Sequence, residues 1–162
     1  MSALDTGGRL VPPEWVDYNG HMNDACYFVA STEATEAFLN HVGLGEEYRV
    51  SSGCGIYTVE SHLCFRASVR AGELLSYRTQ LLGYDAKRLH IFHQIRTSGG
   101  AEVATNELMF LHVELAGERV TAMPSDRLAA VSALAAEHAL LPVPGQAGRR
   151  IAMPVKAAPA AH

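Results

Sequence analysis

An aspartate, two asparagines and a histidine stand at alternate positions in one short run: Asp17, Asn19, His21 and Asn23. Trp15, Tyr18 and Tyr27 flank them. A carboxylate in such company is a general base for water or a nucleophile. The amides and the imidazole are groups that hold or orient it. Asn19-Gly20 is a turn signal, because both residues tolerate positive φ. Asn23 or Asp24 can then cap a helix by accepting its orphan N–H bonds. Free N–H groups and the positive end of a helix dipole hold developing negative charge. An ionisable Asp17 just upstream of that terminus suits acyl transfer. The same residue types also build a plain polar turn with a good cap, and residue chemistry alone leaves both readings open.

The neighbouring elements must position this run. Residues 1–8 are small and polar and are expected to fray. Arg9–Val11 starts a short strand that Pro12-Pro13 interrupts. Residues 23–42 carry helical spacing, with Ala25, Phe28, Val29, Thr32, Leu39 and Val42 near one stripe, and Gly43 stops it. Glu33 and Glu36 read as a solvated face. Residues 44–54 read as a loop. Four strand-like runs follow: Ile56–Phe65, Leu74–Gly83, Arg88–Arg96 and Val103–Leu115, with hairpin punctuation between them. In the third, Leu89, Ile91, His93 and Ile95 share one face, while Arg88, His90, Phe92, Gln94 and Arg96 share the other. Both faces of the last run are apolar, so both need cover. Pro124 opens a second helix, Ser125–Leu141, which Ser125 or Asp126 can cap. The predicted order is an α+β layer arrangement: an antiparallel sheet wrapped around one long central helix, with an extra C-terminal helix. Residues 1–141 form a single domain. Residues 142–162 form an extended Pro/Ala/Gly-rich tail with basic Arg149, Arg150 and Lys156.

Composition narrows the function classes. The 162 residues have the length of one domain, and 48% hydrophobic with 19% charged residues fits a globular chain. A net charge of −4 argues against a nucleic-acid partner, which wants a basic face. No apolar run approaches the roughly 20 residues of a spanning helix, and the N-terminus lacks signal-peptide regions. Cys26, Cys54 and Cys64 are odd in number and unpaired in motif, so reduced thiols in a cytoplasmic protein are expected. No metal site is expected, because His90 and His93 point to opposite faces of a strand. Cys26 lies in a helical run without a paired base and reads as an inert thiol.

Asp17-Tyr-Asn-Gly-His-Met-Asn-Asp-Ala-Cys-Tyr27 resembles the Asp-x-x-Gly-His-x-Asn-x-x-x-Tyr signature of hotdog-fold acyl-CoA thioesterases, in the 4-hydroxybenzoyl-CoA thioesterase branch. The resemblance covers residues 9–115. Four stretches are further similar to the betainyl-CoA thioesterases of bacterial carnitine degradation: Pro13–Met22, Tyr57-Thr-Val-Glu60, Lys87-Arg-Leu-His-Ile-Phe-His93 and Gly148-Arg-Arg-Ile151. The resemblance implies the hotdog fold, and a homodimer or tetramer with active sites at the subunit interface. It implies no metal or organic cofactor, coenzyme A being part of the substrate. It makes Asp17 the nucleophile or general base and the following helix terminus the oxyanion site. Two departures stand out. Trp15 occupies a position where many members carry a second Asp, and Asp24 occupies one where some carry His.

On that reading, Asn19, His21 and Asn23 position or donate to the reacting groups. The backbone N–H groups of Asp24 and Ala25 face the thioester oxygen. A betainyl group ends in a quaternary ammonium, which aromatic faces and a carboxylate hold. Trp15, Tyr18, Tyr57 and Glu60 are the candidate acyl pocket. Arg66, Arg70, Lys87 and Arg88 are candidates for the CoA phosphates. An uncharged aromatic or medium-chain acyl group would need the apolar walls without Glu60. A non-catalytic acyl-CoA binding module is the alternative outside enzymes.

Overall fold

The structure, a computed structural model, describes residues 2–153. The rest of the predicted tail, including Lys156, lies outside the described residues. The chain runs β1 (Leu4–Leu10), a 3-10 turn (Pro13–Trp15), α1 (Asp24–His41), α2 (Glu46–Ser52), β2 (Cys54–Phe65), β3 (Leu74–Tyr84), β4 (Arg88–Thr97), β5 (Glu102–Glu114), β6 (Arg119–Val120) and α3 (Ser125–His138). The strands form one antiparallel sheet in the order β1-β3-β4-β5-β2, with β6 paired to β5. The sheet packs around α1.

Two clusters fill the space between them. At one pole Phe38 and Leu39 of α1 meet Leu81, Leu89, Ile91 and Phe110, and α3 adds Val131 and Leu134. At the other, Tyr27, Ala30 and Ala34 meet Leu75, Tyr77, Ile95 and Ala104. The buried stripe of α1 is therefore Tyr27, Ala30, Ser31, Ala34, Phe38 and Leu39. The expected stripe is wrong at its N-terminal half, where Ala25, Phe28, Val29 and Thr32 are exposed. The cause is steric. Small side chains at 30, 31 and 34 let the sheet approach the helix axis, so the larger Phe28 and Val29 fall on the open side.

Buried polar groups pin the layers. Asn106 donates to Ser31 Oγ on α1 at 2.8 Å and accepts from Ser61 on β2 at 2.8 Å. His93, expected to share a face of β4 with Leu89, Ile91 and Ile95, does so on the helix-facing side, fully buried between Thr35 and Thr79.

Other expectations need correction. β1 is a seven-residue strand spanning most of the segment expected to fray, because its partner β3 supplies a ladder. The expected loop at 44–54 contains α2, whose Tyr48 hydroxyl donates to His112 Nε2 at 2.9 Å. That tertiary bond fixes a helix too short to declare itself by periodicity. Neither Ser125 nor Asp126 caps α3, whose N-cap is Pro124.

Beyond α3 the described residues form neither helix nor strand. It crosses the face of the sheet remote from α1, which we call the outer face. The Pro142 carbonyl accepts from Gln80, and the Gly148 N–H donates to Glu107 at 2.7 Å. This strap ends over β2, where residues 148–151 close a cleft of about 560 Å³ with Glu60, His62, His90 and Glu107.

Candidate active site

The run from Trp15 to Ala25 folds as a clasp between the sheet and the start of α1. Pro12 and Pro13 end β1 by withholding donors, and the 3-10 turn follows. Val16 and Met22 form an isolated antiparallel bridge. Between them the Asp17 N–H donates to the His21 carbonyl, and the Gly20 N–H to the Asp17 carbonyl, each at 3.0 Å. Gly20 takes φ +78°, which explains glycine at the turn. Asp17 Oδ1 accepts the Asn19 N–H at 2.8 Å, holding the carboxylate over the turn. The Met22 N–H reaches the Val69 carbonyl at 2.7 Å, and the Asn23 N–H reaches that of Trp15 at 2.8 Å. The turn is thus tied to both the 3-10 turn and the β2–β3 loop.

Asn23 is the N-cap of α1, as its spacing predicts. Its side chain accepts the Ala25 N–H at 2.9 Å, and its carbonyl accepts that of Cys26 at 2.9 Å. The Ala25 amide is therefore committed to the cap. The Asp24 N–H meets no acceptor among the described residues, so it is the amide left to take developing negative charge. The His21 carbonyl closes the turn, while its ring makes no hydrogen bond among the described residues. Tyr27 packs edge-on to Phe65 with ring centroids 5.3 Å apart, and donates to the Ala67 carbonyl at 3.1 Å. Burial raises the Tyr27 pKa, so this hydroxyl stays a donor.

The candidate acyl residues do not converge within one chain. The Tyr18 ring is 97% exposed. Trp15 is half-buried, and one ring face is occupied by the Arg9 guanidinium, 4.1 Å from the centroid. Tyr57 and Glu60 pair with Leu111 and Met109, on the outer face, whereas Phe110 and Leu108 face α1. Tyr57 also lies eight residues along β2 from Phe65, about 26 Å at 3.3 Å per residue. Sequence spacing missed the bulge between Thr58 and Glu60, which turns the strand's side chains over.

The candidate phosphate-binding cations split between the poles. Arg70 follows Val69, the residue that receives Met22, and is exposed beside the turn. Arg66 lies at the same pole but pairs with Glu102 at 3.2 Å. Lys87 and Arg88 sit at the far pole, where Arg88 pairs with Asp85 at 2.6 Å. That pairing lowers the Asp85 pKa. His90 and His93 lie on opposite faces of β4 as predicted, and no group suited to hold a metal occurs among the described residues.

Sequence reasoning missed Arg9, Glu33 and Tyr77. Glu33 is not a solvated carboxylate. It pairs with Arg9 and accepts from the Tyr77 hydroxyl at 3.1 Å. Burial, and then the Glu33 charge, push the Tyr77 pKa upward, so the phenol remains protonated. The available signal was Glu33's place beside Ala30 and Ala34, once small residues are read as the buried stripe.

A sheet curled around one helix, with a carboxylate turn at that helix's N-terminus, defines the hotdog class of thioester hydrolases. The chain belongs to the thioesterase-like superfamily, which it matches over residues 11–131. It is 47% identical over 152 residues to the betainyl-CoA thioesterase of Pseudomonas aeruginosa, covering 93% of this chain and 96% of that protein. It is 44% identical over 137 residues to the L-carnitine dehydrogenase/betainyl-CoA thioesterase of Agrobacterium fabrum, covering 85% of this chain and 28% of that longer protein. A Staphylococcus aureus protein solved in complex with CoA superposes with a TM-score of 0.86 at 26% identity, covering 95% of this chain and 98% of that one.

Proposed function

We propose that this thioesterase hydrolyses betainyl-CoA to betaine and free CoA, in the breakdown of carnitine in the cytoplasm. The observation that carries the chemistry is the Asp17 carboxylate held over its turn, with the Asp24 N–H left uncommitted at the start of α1. Asp17 either takes a proton from the attacking water or itself adds to the thioester carbonyl. In both cases the carbonyl oxygen becomes an oxyanion at the α1 terminus, where one preorganised donor is worth roughly 2.7–4 kcal/mol. Collapse breaks the C–S bond and the CoA thiolate leaves. In the first route it takes up the proton that Asp17 drew from water, and the free acid is released. In the second an acyl–Asp17 anhydride remains, which water hydrolyses to free acid and the regenerated carboxylate, its proton going to the thiolate. Asn19 and Asn23 act as positioning residues, one on the carboxylate and one on the helix start. Identity along almost the whole chain to a betainyl-CoA thioesterase supports the acyl group.

The working unit is a homodimer. β2 lies at the sheet edge with Tyr57, Val59 and Phe65 exposed, and α1 exposes Phe28 and Val29. Antiparallel pairing of β2 with its copy continues the sheet and covers this apolar edge. It also runs the Tyr57 end of one strand toward the Phe65 end of the other, so each Asp17 turn meets the second chain. Such a seam unites poles that are separate within one chain, including the Lys87–Arg88 pole with that of Arg70.

One observation favours an uncharged acyl group instead. The Trp15 face that a quaternary ammonium would seek already holds Arg9. Thiol release from betainyl-, 4-hydroxybenzoyl-, hexanoyl- and acetyl-CoA separates the readings. Preference for betainyl-CoA, lost in Asp17→Asn, is the expected result. Preference for a neutral acyl group overturns the substrate while keeping Asp17. Binding of CoA thioesters without release by the wild type leaves an acyl-CoA binding module.

A further inference from the structure

Three elements converge on one carboxylate that is linked through Arg9 and Trp15 to the Asp17 turn. Glu33 projects from α1. One of its oxygens takes the Arg9 guanidinium of β1, and the other takes the Tyr77 hydroxyl of β3. With both oxygens engaged, Glu33 fixes where the guanidinium can lie. The Arg9 guanidinium carbon in turn lies over the Trp15 indole, 4.1 Å from its centroid. Trp15 is bonded through its carbonyl to Asn23, the residue that caps α1. A continuous chain of contacts therefore runs from the sheet to the indole at the mouth of the turn.

We propose that Glu33 is a positioning residue for substrate binding: through Arg9 it holds the Trp15 indole as a rigid wall of the acyl site. This rests on the Asp17 turn being that site. Two features separate the assignment from simple stabilisation. The Arg9 and Glu33 side chains are 34% and 38% exposed, and ion pairs so exposed add little to folding. The guanidinium also makes the wall cationic on its hidden face, and its charge is balanced by Glu33. Removing Glu33 would leave an uncompensated cation on the indole, free to swing into the acyl site.

Trp15 is the sole tryptophan, so its fluorescence reads the clamp directly. The test compares wild type, Glu33→Ala, Arg9→Ala, the double variant and Glu33→Gln, each with the acyl-CoA that wild type hydrolyses best. In Glu33→Ala, KM should rise about tenfold with kcat within about threefold, because a wall contributes alike to ground and transition states. Trp15 anisotropy should fall in both single alanine variants. The double variant should be no worse than Arg9→Ala, since Glu33 acts through Arg9. Glu33→Gln keeps one carbonyl oxygen for Arg9 and turns an NH2 donor toward the Tyr77 hydroxyl, without balancing the guanidinium charge, so it should restore only part of the wild-type KM. Should Glu33→Ala fail to fold, Arg9→Ala on the edge strand carries the same comparison.

An unchanged KM with unchanged anisotropy overturns the proposal. So does a parallel fall in kcat and melting temperature at constant KM, which marks a structural role. Retention of turnover by Asp17→Asn would instead sink the reading of the site, while Trp15 anisotropy would still report whether the clamp exists.

Discussion

The buried His93 makes stability depend on acid in a way that can be calculated. Thr35 donates to the Ser31 carbonyl at 3.0 Å, so its oxygen is left to accept from His93 Nε2 at 2.8 Å. His93 Nδ1, 2.7 Å from the Thr79 hydroxyl, must then accept. The Thr79 oxygen is in turn free to accept from Thr6 at 2.9 Å. This order assigns the Nε2–H neutral tautomer, with Nδ1 accepting from Thr79. Burial accordingly lowers the His93 pKa from 6.5 to about 3. The sign follows. Above pH 6.5 folded and unfolded chains both hold neutral His93, and the full stability is present. Between pH 6.5 and 3 only the unfolded chain binds the proton, so stability falls by about 1.4 kcal/mol per pH unit. At pH 4.5 the loss owed to His93 is about 2.7 kcal/mol. The measurement is urea unfolding of wild type and His93→Asn at pH 7.5 and 4.5, at one protein concentration. His93→Asn costs stability at pH 7.5 by leaving threonines unpaired, but it cannot titrate. The gap between the two proteins should therefore shrink by about 2.7 kcal/mol at pH 4.5, other titrating groups cancelling in the difference. A gap independent of pH would refute the neutral, proton-refusing histidine.

Asn23→Ala removes the cap of α1 and should lower unfolding free energy by about 1 kcal/mol in denaturant titration. It should also lower kcat, since the released Ala25 amide no longer fixes the first turn. Glu107→Ala removes the acceptor for Gly148 and the partner of His90, 2.7 Å away. Trypsin should then cut after Arg149 and Arg150 faster than in wild type, as followed by mass spectrometry. Val59→Lys places a charge on the open β2 edge. Sedimentation should show the dimer shifting toward single chains, with thiol release falling in parallel.

The sheet was legible because its strands alternate and its turns carry Gly, Asp and Ser. The expected bounds for β2 to β5 fall within two residues of those found, and the faces assigned on β4 are those observed. Asn23 was legible as a cap because the capping residue types are few. The face of α1 was not. The middle of its buried stripe is Ala30, Ser31 and Ala34, which hydrophobicity does not mark, while Phe28 and Val29 point outward. Glu33 was misread for the same reason. The outer location of Tyr57 and Glu60 was hidden by a single bulged residue, which breaks the period-two rule without a glycine or proline to announce it. The strap was hidden because its anchors, Glu107 and Gln80, are distant in sequence and its own residues look like a linker.

The two edges of the sheet are unlike. Along β1, Asp5 folds back to take the Gly7 N–H at 3.0 Å, the ladder breaks there, and Arg9 is drawn toward Glu33. β2 offers a long, open rim with apolar side chains. A chain with both rims open would add copies without limit and grow into a fibre. In the proposed dimer, pairing through β2 would leave β1 as the remaining rim, and its broken ladder and charged side chains disfavour adding a further strand. On that proposal the same asymmetry that would build a shared seam would also keep an apolar edge from seeding aggregation.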